Sequence, residues 1–148
     1  MNVHRFSHIG ICVSELERSL RFYRDVLGFQ EVSRLAMKGE ITERLLEIAG
    51  GELQAVYLQL DGTCIELLYY PAAGHTAGAT PRPMNQLGLT HLSLKVKDLA
   101  AVVAAIEQAG GLHLEHTLID LESGSKAGFI TDPDGLRIEL VQSAPKKP

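Results

Sequence analysis

Two phrases of this chain occur twice, and each carries a residue able to bind a metal ion or move a proton. Ser7-His8-Ile9-Gly10-Ile11-Cys12-Val13 is matched by Thr90-His91-Leu92-Ser93-Leu94-Lys95-Val96. Asp61-Gly62-Thr63-Cys64-Ile65-Glu66-Leu67-Leu68 is matched by Asp134-Gly135-Leu136-Arg137-Ile138-Glu139-Leu140-Val141. The two histidines lie 83 positions apart and the two glutamates 73. Imidazole nitrogen with carboxylate oxygen is a mixed donor set suited to a divalent first-row metal. If His8, Glu66, His91 and Glu139 all bind one octahedral ion, two adjacent positions stay open for two substrate oxygens or two waters. A single His or Glu in a strand is ordinarily a surface or satisfied residue. Recurrence of both at matched places, while their neighbours vary, singles these four out. Two buried carboxylates without a cation would also be strongly penalised.

The repeat dictates the elements that must position them. Residues 6–13 alternate as a strand, with Ile9, Ile11 and Val13 on one face and His8, Gly10 and Cys12 on the other. Ser14 with Glu17 three residues on reads as a capping box, and Leu16, Leu20, Tyr23 and Leu27 share one face of the helix that follows. Gly28 suits the left-handed position at its end. A second strand is expected at 29–35. Within 39–51, residues Ile41, Leu45 and Ile48 suggest a short helix stopped by Gly50-Gly51. This is the piece of about ten residues that lengthens the first copy. Strands are expected at 53–60 and 63–70.

Residues 71–88, rich in Pro, Gly and Ala, form a linker. The second copy then gives a strand at 89–96 and a helix capped by Asp98 with the stripe Leu99, Val102, Val103 and Ile106. Gly110-Gly111 stops that helix. A short strand at 112–116 and a loop at 121–126 come next, and two strands flank Asp132-Pro133-Asp134-Gly135. There Pro133 presets the turn and Gly135 supplies its positive φ. On the last strand Ile138 and Leu140 face one way, and Arg137, Glu139 and Val141 the other. The expectation is an α+β fold of two tandem βαβββ units, pairing around a metal-binding cup. The apolar strand faces meet the helices, and the faces bearing His and Glu are left free. The chain is read as one domain, 1–148, with unit one at 1–70, the linker at 71–88 and unit two at 89–144.

Bulk properties narrow the function classes. The 148 residues carry a formal charge of −4 and are 45% apolar. Lys146-Lys147 is the one adjacent basic pair, and there is no basic stripe, which argues against nucleic-acid binding. No apolar run approaches the length of a membrane span. Residues 1–6 lead into a strand without a signal-peptide pattern. Cys12 and Cys64 make no disulfide framework and fit reduced thiols in a cytoplasmic protein.

The sequence resembles the vicinal oxygen chelate superfamily, which includes glyoxalase I, methylmalonyl-CoA epimerase, bleomycin-type resistance proteins and extradiol dioxygenases. The matching phrases are His8-Ile9-Gly10-Ile11, Leu27-Gly28-Phe29, Ile65-Glu66-Leu67, Thr90-His91-Leu92, Asp132-Pro133-Asp134-Gly135 and Ile138-Glu139-Leu140. They cover nearly the whole chain. The resemblance implies metal-ligand roles for His8, Glu66, His91 and Glu139, one per motif. It implies one divalent ion per site, with Ni, Co, Zn, Mn and Fe all compatible. It further implies a metal-dependent isomerase, lyase or epimerase that works by proton transfer next to a carbonyl, through a metal-bound enediolate. Glu139 and Glu66 are then the candidate catalytic bases, with Glu47 a nearby alternative. The runner-up readings are a small-molecule-binding resistance-type protein and a metal-dependent dioxygenase. The fourth donor, Glu66, speaks against the dioxygenase pattern of two His and one carboxylate. The expected partners are a small-molecule substrate and a second copy of the chain in a homodimer, with neither nucleic acid nor membrane.

The remaining polar candidates are weaker. Cys12 and Cys64 lie by parity on the ligand-bearing face and read as space-filling residues before nucleophiles. Lys95 and Arg137 share that face and serve either a carboxylate or phosphate, or simply solvation at strand ends. His113 and His116, three apart in a strand, face opposite sides and make a poor ligand pair. His4 and His75 have no patterned partners.

Overall fold

The computed structural model describes residues 2–77, 80–121 and 124–144. Gly78 and Ala79 of the expected linker, Glu122 and Ser123 of the expected loop, and the Lys146-Lys147 pair lie outside the described residues. The chain divides into two compact units, Met1–Thr76 and Ala77–Pro148.

The first unit contains β1 (Ile9–Cys12), α1 (Leu16–Leu20), β2 (Gln30–Lys38), α2 (Glu40–Leu46), β3 (Glu52–Leu60) and β4 (Thr63–Tyr69). Its sheet order is β1-β4-β3-β2, with β1 parallel to β4 and the other pairs antiparallel. The second unit contains β5 (Leu92–Val96), α3 (Leu99–Gln108), β6 (Leu112–Asp120), β7 (Lys126–Thr131) and β8 (Arg137–Gln142). Its order, β5-β8-β7-β6, and its strand directions repeat those of the first. The α+β fold and the two tandem βαβββ units follow the expectation from the repeat.

Each unit buries one side of its sheet under its helix. In the first, Ile11, Val13, Leu58, Ile65 and Leu67 are buried together with Leu16, Leu20, Phe22 and Tyr23. In the second, Ile130, Ile138 and Leu140 are buried together with Leu99, Val103 and Ile106. Each such side chain contributes about 1.5–3 kcal/mol on leaving water. This burial fixes which way every strand faces, because the side-chain period is two. His8, Glu66, His91 and Glu139 are thereby turned to the opposite sheet faces.

The turns that set the Glu strands differ in detail. Asp61 and Gly62 both have positive φ, 47° and 77°, so β3 and β4 are joined by a tight two-residue hairpin. Between β7 and β8 the Asp132 carboxylate accepts from the backbone N–H of Asp134 at 2.9 Å and of Leu136 at 2.8 Å. Gly135 takes φ 88° there, as expected of the turn.

Several local expectations are corrected. Glu15, not Ser14, caps α1, its carboxylate accepting from the Arg18 N–H, while the Ser14 hydroxyl accepts from the Arg18 guanidinium. The helix then widens into a π-helical turn, Arg21–Val26. The added residue lets Phe22 join Tyr23 in the core, edge to face with centroids 5.1 Å apart. β2 runs on to Lys38 and β6 to Asp120, the latter across a register shift between Leu114 and Ile119. The apolar face expected of α2 is open: Ile41 and Leu45 are 79% and 67% exposed, and the buried residue is Thr42. Periodicity shows that residues share a face, not that something covers it.

Candidate metal centre

In the first unit His8 stands immediately before β1, and the β1–β4 register sets Gly10 beside Glu66. His8 Nε2 lies 3.1 Å from Glu66 Oε2. The other ring nitrogen, Nδ1, is 2.9 Å from the Ser7 hydroxyl. The ring meets Tyr57 edge to face, with centroids 5.4 Å apart. Tyr57 sits opposite Glu66 across β3 and β4, which sets its phenol near the carboxylate. Interaction with the Glu66 side chain, then burial, then the charges of Glu66 and Cys64, push the Tyr57 phenol up to about 12.

The second unit repeats the arrangement with different parts. His91 Nε2 lies 3.9 Å from Glu139 Oε2, and its Nδ1 is 2.9 Å from the Thr90 hydroxyl. Phe129, opposite Glu139 across β7 and β8, takes the place of Tyr57, its ring 5.4 Å from that of His91. Ser93, beside Glu139 across β5 and β8, takes the place of Gly10 and donates its hydroxyl to Glu139 Oε2 at 2.6 Å. Each His is thus positioned by the hydroxyl residue preceding it, and Glu139 is held by the Ser93 hydroxyl while Glu66 has the Tyr57 phenol nearby.

This arrangement fits a metal ion chemically. With Nε2 as the donor, Nδ1 carries the proton and donates it to Ser7 or Thr90, which fixes tautomer and ring orientation. Two donors about 2.1 Å from one ion and at right angles stand about 3 Å apart, close to the His8–Glu66 separation. Among the described residues no group of three or more His, Cys, Asp or Glu is placed to hold one ion. Each unit offers a pair. The Glu66 side chain is 10% exposed and that of Glu139 30%, so Glu139 is the more accessible carboxylate.

Residues 5–140 match the pattern of the Glyoxalase/Bleomycin resistance protein/Dioxygenase superfamily. The chain belongs to that superfamily. Among curated superfamily members, a probable lactoylglutathione lyase of Vibrio cholerae is 32% identical over 97% of this chain and 94% of its own. Among solved structures, a glyoxalase family protein from Bacillus cereus covers 98% of this chain and 97% of its own, with TM-score 0.83 at 18% identity. A genomically encoded fosfomycin resistance protein from Listeria monocytogenes shares the fold over 96% of this chain and 95% of its own, at 13% identity and TM-score 0.64. The superfamily fold therefore carries more than one activity.

The other residues singled out from the sequence fall outside the two pairs. Cys12 is exposed, and Cys64 is half-buried with its thiol 3.8 Å from the Ile65 carbonyl. Glu47 ends α2 in the left-handed region, φ 56°. His113 is half-buried, and His4, His75 and His116 are exposed. No helix among the described residues is long and apolar enough to cross a membrane. Ser7, Thr90, Tyr57 and Ser93 were not singled out from the sequence. The hydroxyl preceding each His is visible in the repeated phrases; the Tyr57 and Ser93 contacts depend on strand pairing.

Proposed function

We propose that this protein is a metal-dependent lyase or isomerase of the glyoxalase type, moving a proton on a carbon next to a carbonyl. The observation that carries this reading is the pair of matched His–Glu contacts, each with its own positioning hydroxyls. The name and coverage of the Vibrio cholerae relative support it. His8, Glu66, His91 and Glu139 are the proposed ligands of one divalent ion per site, drawn from Ni, Co, Zn, Mn and Fe. Such an ion supplies Lewis acidity, which offsets the negative charge that develops on a carbonyl oxygen as the neighbouring carbon is deprotonated. Glu139 is the first choice of base because its carboxylate is the more accessible, and Glu66 is the second. Ser93 aims one oxygen of Glu139, leaving the other to take the proton and return it at the neighbouring carbon or the opposite face.

A unit supplies two donors, so a four-donor site draws on two units. We place residues 1–148 in one functional domain, within a cytoplasmic homodimer holding two equivalent sites. The substrate is a small molecule with an acidic C–H beside a carbonyl. A glutathione hemithioacetal, a 2-branched acyl-CoA (the epimerase case) and a small keto-polyol all qualify. Incubation with each candidate in deuterated water tests the function. Product formation with solvent deuterium at the carbon next to the carbonyl, lost in Glu139→Gln, is the expected result. Absence of both turnover and exchange with all three, or oxygen consumption in their place, would overturn it.

A further inference from the structure

The two sheet faces that carry the His–Glu pairs differ in charge at two matched positions. In the first unit these positions hold Cys12 and Cys64; in the second they hold Lys95 and Arg137. Arg137 opens β8, and the β5–β8 register, run back one residue from Leu92 opposite Ile138, sets it beside His91. It also precedes Glu139 by two residues on the same face. An Arg and a Glu so spaced on one strand would ordinarily pair. Among the described residues Arg137 makes no ion pair, and Glu139 Oε2 is taken by the Ser93 hydroxyl at 2.6 Å.

The guanidinium is nevertheless held. Its Nε donates to the Arg82 carbonyl at 2.9 Å, and its Cζ lies over the Phe129 ring, 5.9 Å from the centroid. The Arg82 carbonyl is fixed in turn, because the Arg82 guanidinium donates to the carbonyls of Leu87 and Leu89, both at 2.8 Å. This leaves the two terminal nitrogens of Arg137 as a fixed fork without a carboxylate of its own among the described residues. A preorganised fork of this kind suits an oxyanion, which it binds through two parallel hydrogen bonds at little further cost in side-chain order.

We propose that Arg137 is an anion-binding residue, taking a carboxylate or phosphate group of the substrate beside the His91–Glu139 pair. Lys95 adds positive charge further along the same face of β5. The anionic end of the substrate lies over the His–Glu face of the second unit, where the cations are. This favours a glutathione conjugate or an acyl-CoA over an uncharged keto-polyol. It rests on the proposed function only in taking the anion to be part of the substrate.

The test needs no turnover. In nitrogen-15-labelled wild-type protein, the Nε–H resonance of Arg137, identified by its loss in Arg137→Lys, is followed during titration. Glutathione and succinate probe carboxylates; coenzyme A and inorganic phosphate probe phosphates. The expected result is a saturable shift with at least one of these two kinds of anion, and at least about tenfold weaker binding to Arg137→Gln. Arg137→Lys, which keeps the charge and loses the fork, should fall between the two. Failure of every anion to move the resonance, or binding to Arg137→Gln as tight as to wild type, would overturn the proposal. Should Arg137→Gln fail to fold, the wild-type resonance and Arg137→Lys still decide. An inactive protein that binds anions through Arg137 would sink the proposed function and leave this inference standing.

Discussion

Tyr57 and Phe129 occupy the same place in the two units, opposite Glu66 and Glu139 and edge to face with His8 and His91, yet only Tyr57 brings a hydroxyl to its glutamate. The second unit makes up the loss from the other side, with Ser93 where the first has Gly10. A serine at Gly10 would crowd Leu68, whose Cδ1 lies 3.1 Å from where its Cβ would stand. Each carboxylate thus has one hydroxyl side chain beside it, drawn from different strands.

The Tyr57 hydroxyl gives a pH prediction. Its interaction with Glu66 favours the neutral phenol and, with burial, raises its folded value from 10.0 to about 12. A raised acid contributes stability that is fully present below its unfolded value and is lost as pH climbs through the folded one. Tyr57→Phe should therefore cost about 1 kcal/mol at neutral pH, and the gap should narrow between pH 10.0 and about 12. In an alkaline titration followed by phenolate absorbance, Tyr57→Phe should remove the late step and Glu66→Gln should bring it down. A late step that persists unchanged in both variants would refute the assignment.

Loss of the Ser93 hydroxyl should act on metal affinity before it acts on the fold. Substitution of groups that orient ligands typically weakens metal binding roughly 10–100-fold. Ser93→Ala should show this in competition with a chelator. Adding Phe129→Tyr, which restores a hydroxyl from the opposite side as in the first unit, should recover part of it. No change on Ser93→Ala would show that the 2.6 Å contact does not position Glu139 for a metal.

The two sheets should respond alike to loss of their central apolar residues. Leu67 and Leu140 hold matched places and are fully buried. Leu67→Ala and Leu140→Ala should each destabilise by about 2–5 kcal/mol, read from denaturant midpoints. A cost below about 1 kcal/mol at either would contradict the burial described.

Much of this architecture was legible because the repeat reports on both units at once. Alternation at Ile9, Ile11 and Val13, and at Ile138 and Leu140, placed the His and Glu side chains on the free faces before any strand was paired. What stayed hidden depends on contacts rather than on pattern. The π-helical turn follows from fitting both Phe22 and Tyr23 into one core, and the length of β6 from a bulge that alternation cannot register. The Ile41 and Leu45 stripe announced a helix but not that its apolar face would be open. The Tyr57 and Ser93 hydroxyls lie far in sequence from the glutamates they hold, and only strand register joins them.

The proposed homodimer can be tested by complementation. Dissociating and mixing His8→Ala with His91→Ala protein should restore activity if a site joins His8 and Glu66 of one chain to His91 and Glu139 of another. In that case a mixed dimer has one site with both defects and one intact. No recovery would assign all four donors to a single chain. A monomer by light scattering at working concentration would exclude the proposed homodimer.

His8, Glu66, His91 and Glu139 are proposed to bind one metal ion together, and metal content measures this directly. Protein purified without chelator should contain about one divalent ion per pair of units by elemental analysis. His8→Ala, Glu66→Gln, His91→Ala and Glu139→Gln, each checked for folding, should each lower the occupancy. Wild-type protein that neither retains nor takes up a divalent ion, or a Glu139→Gln variant with full metal content and full activity, would contradict the account.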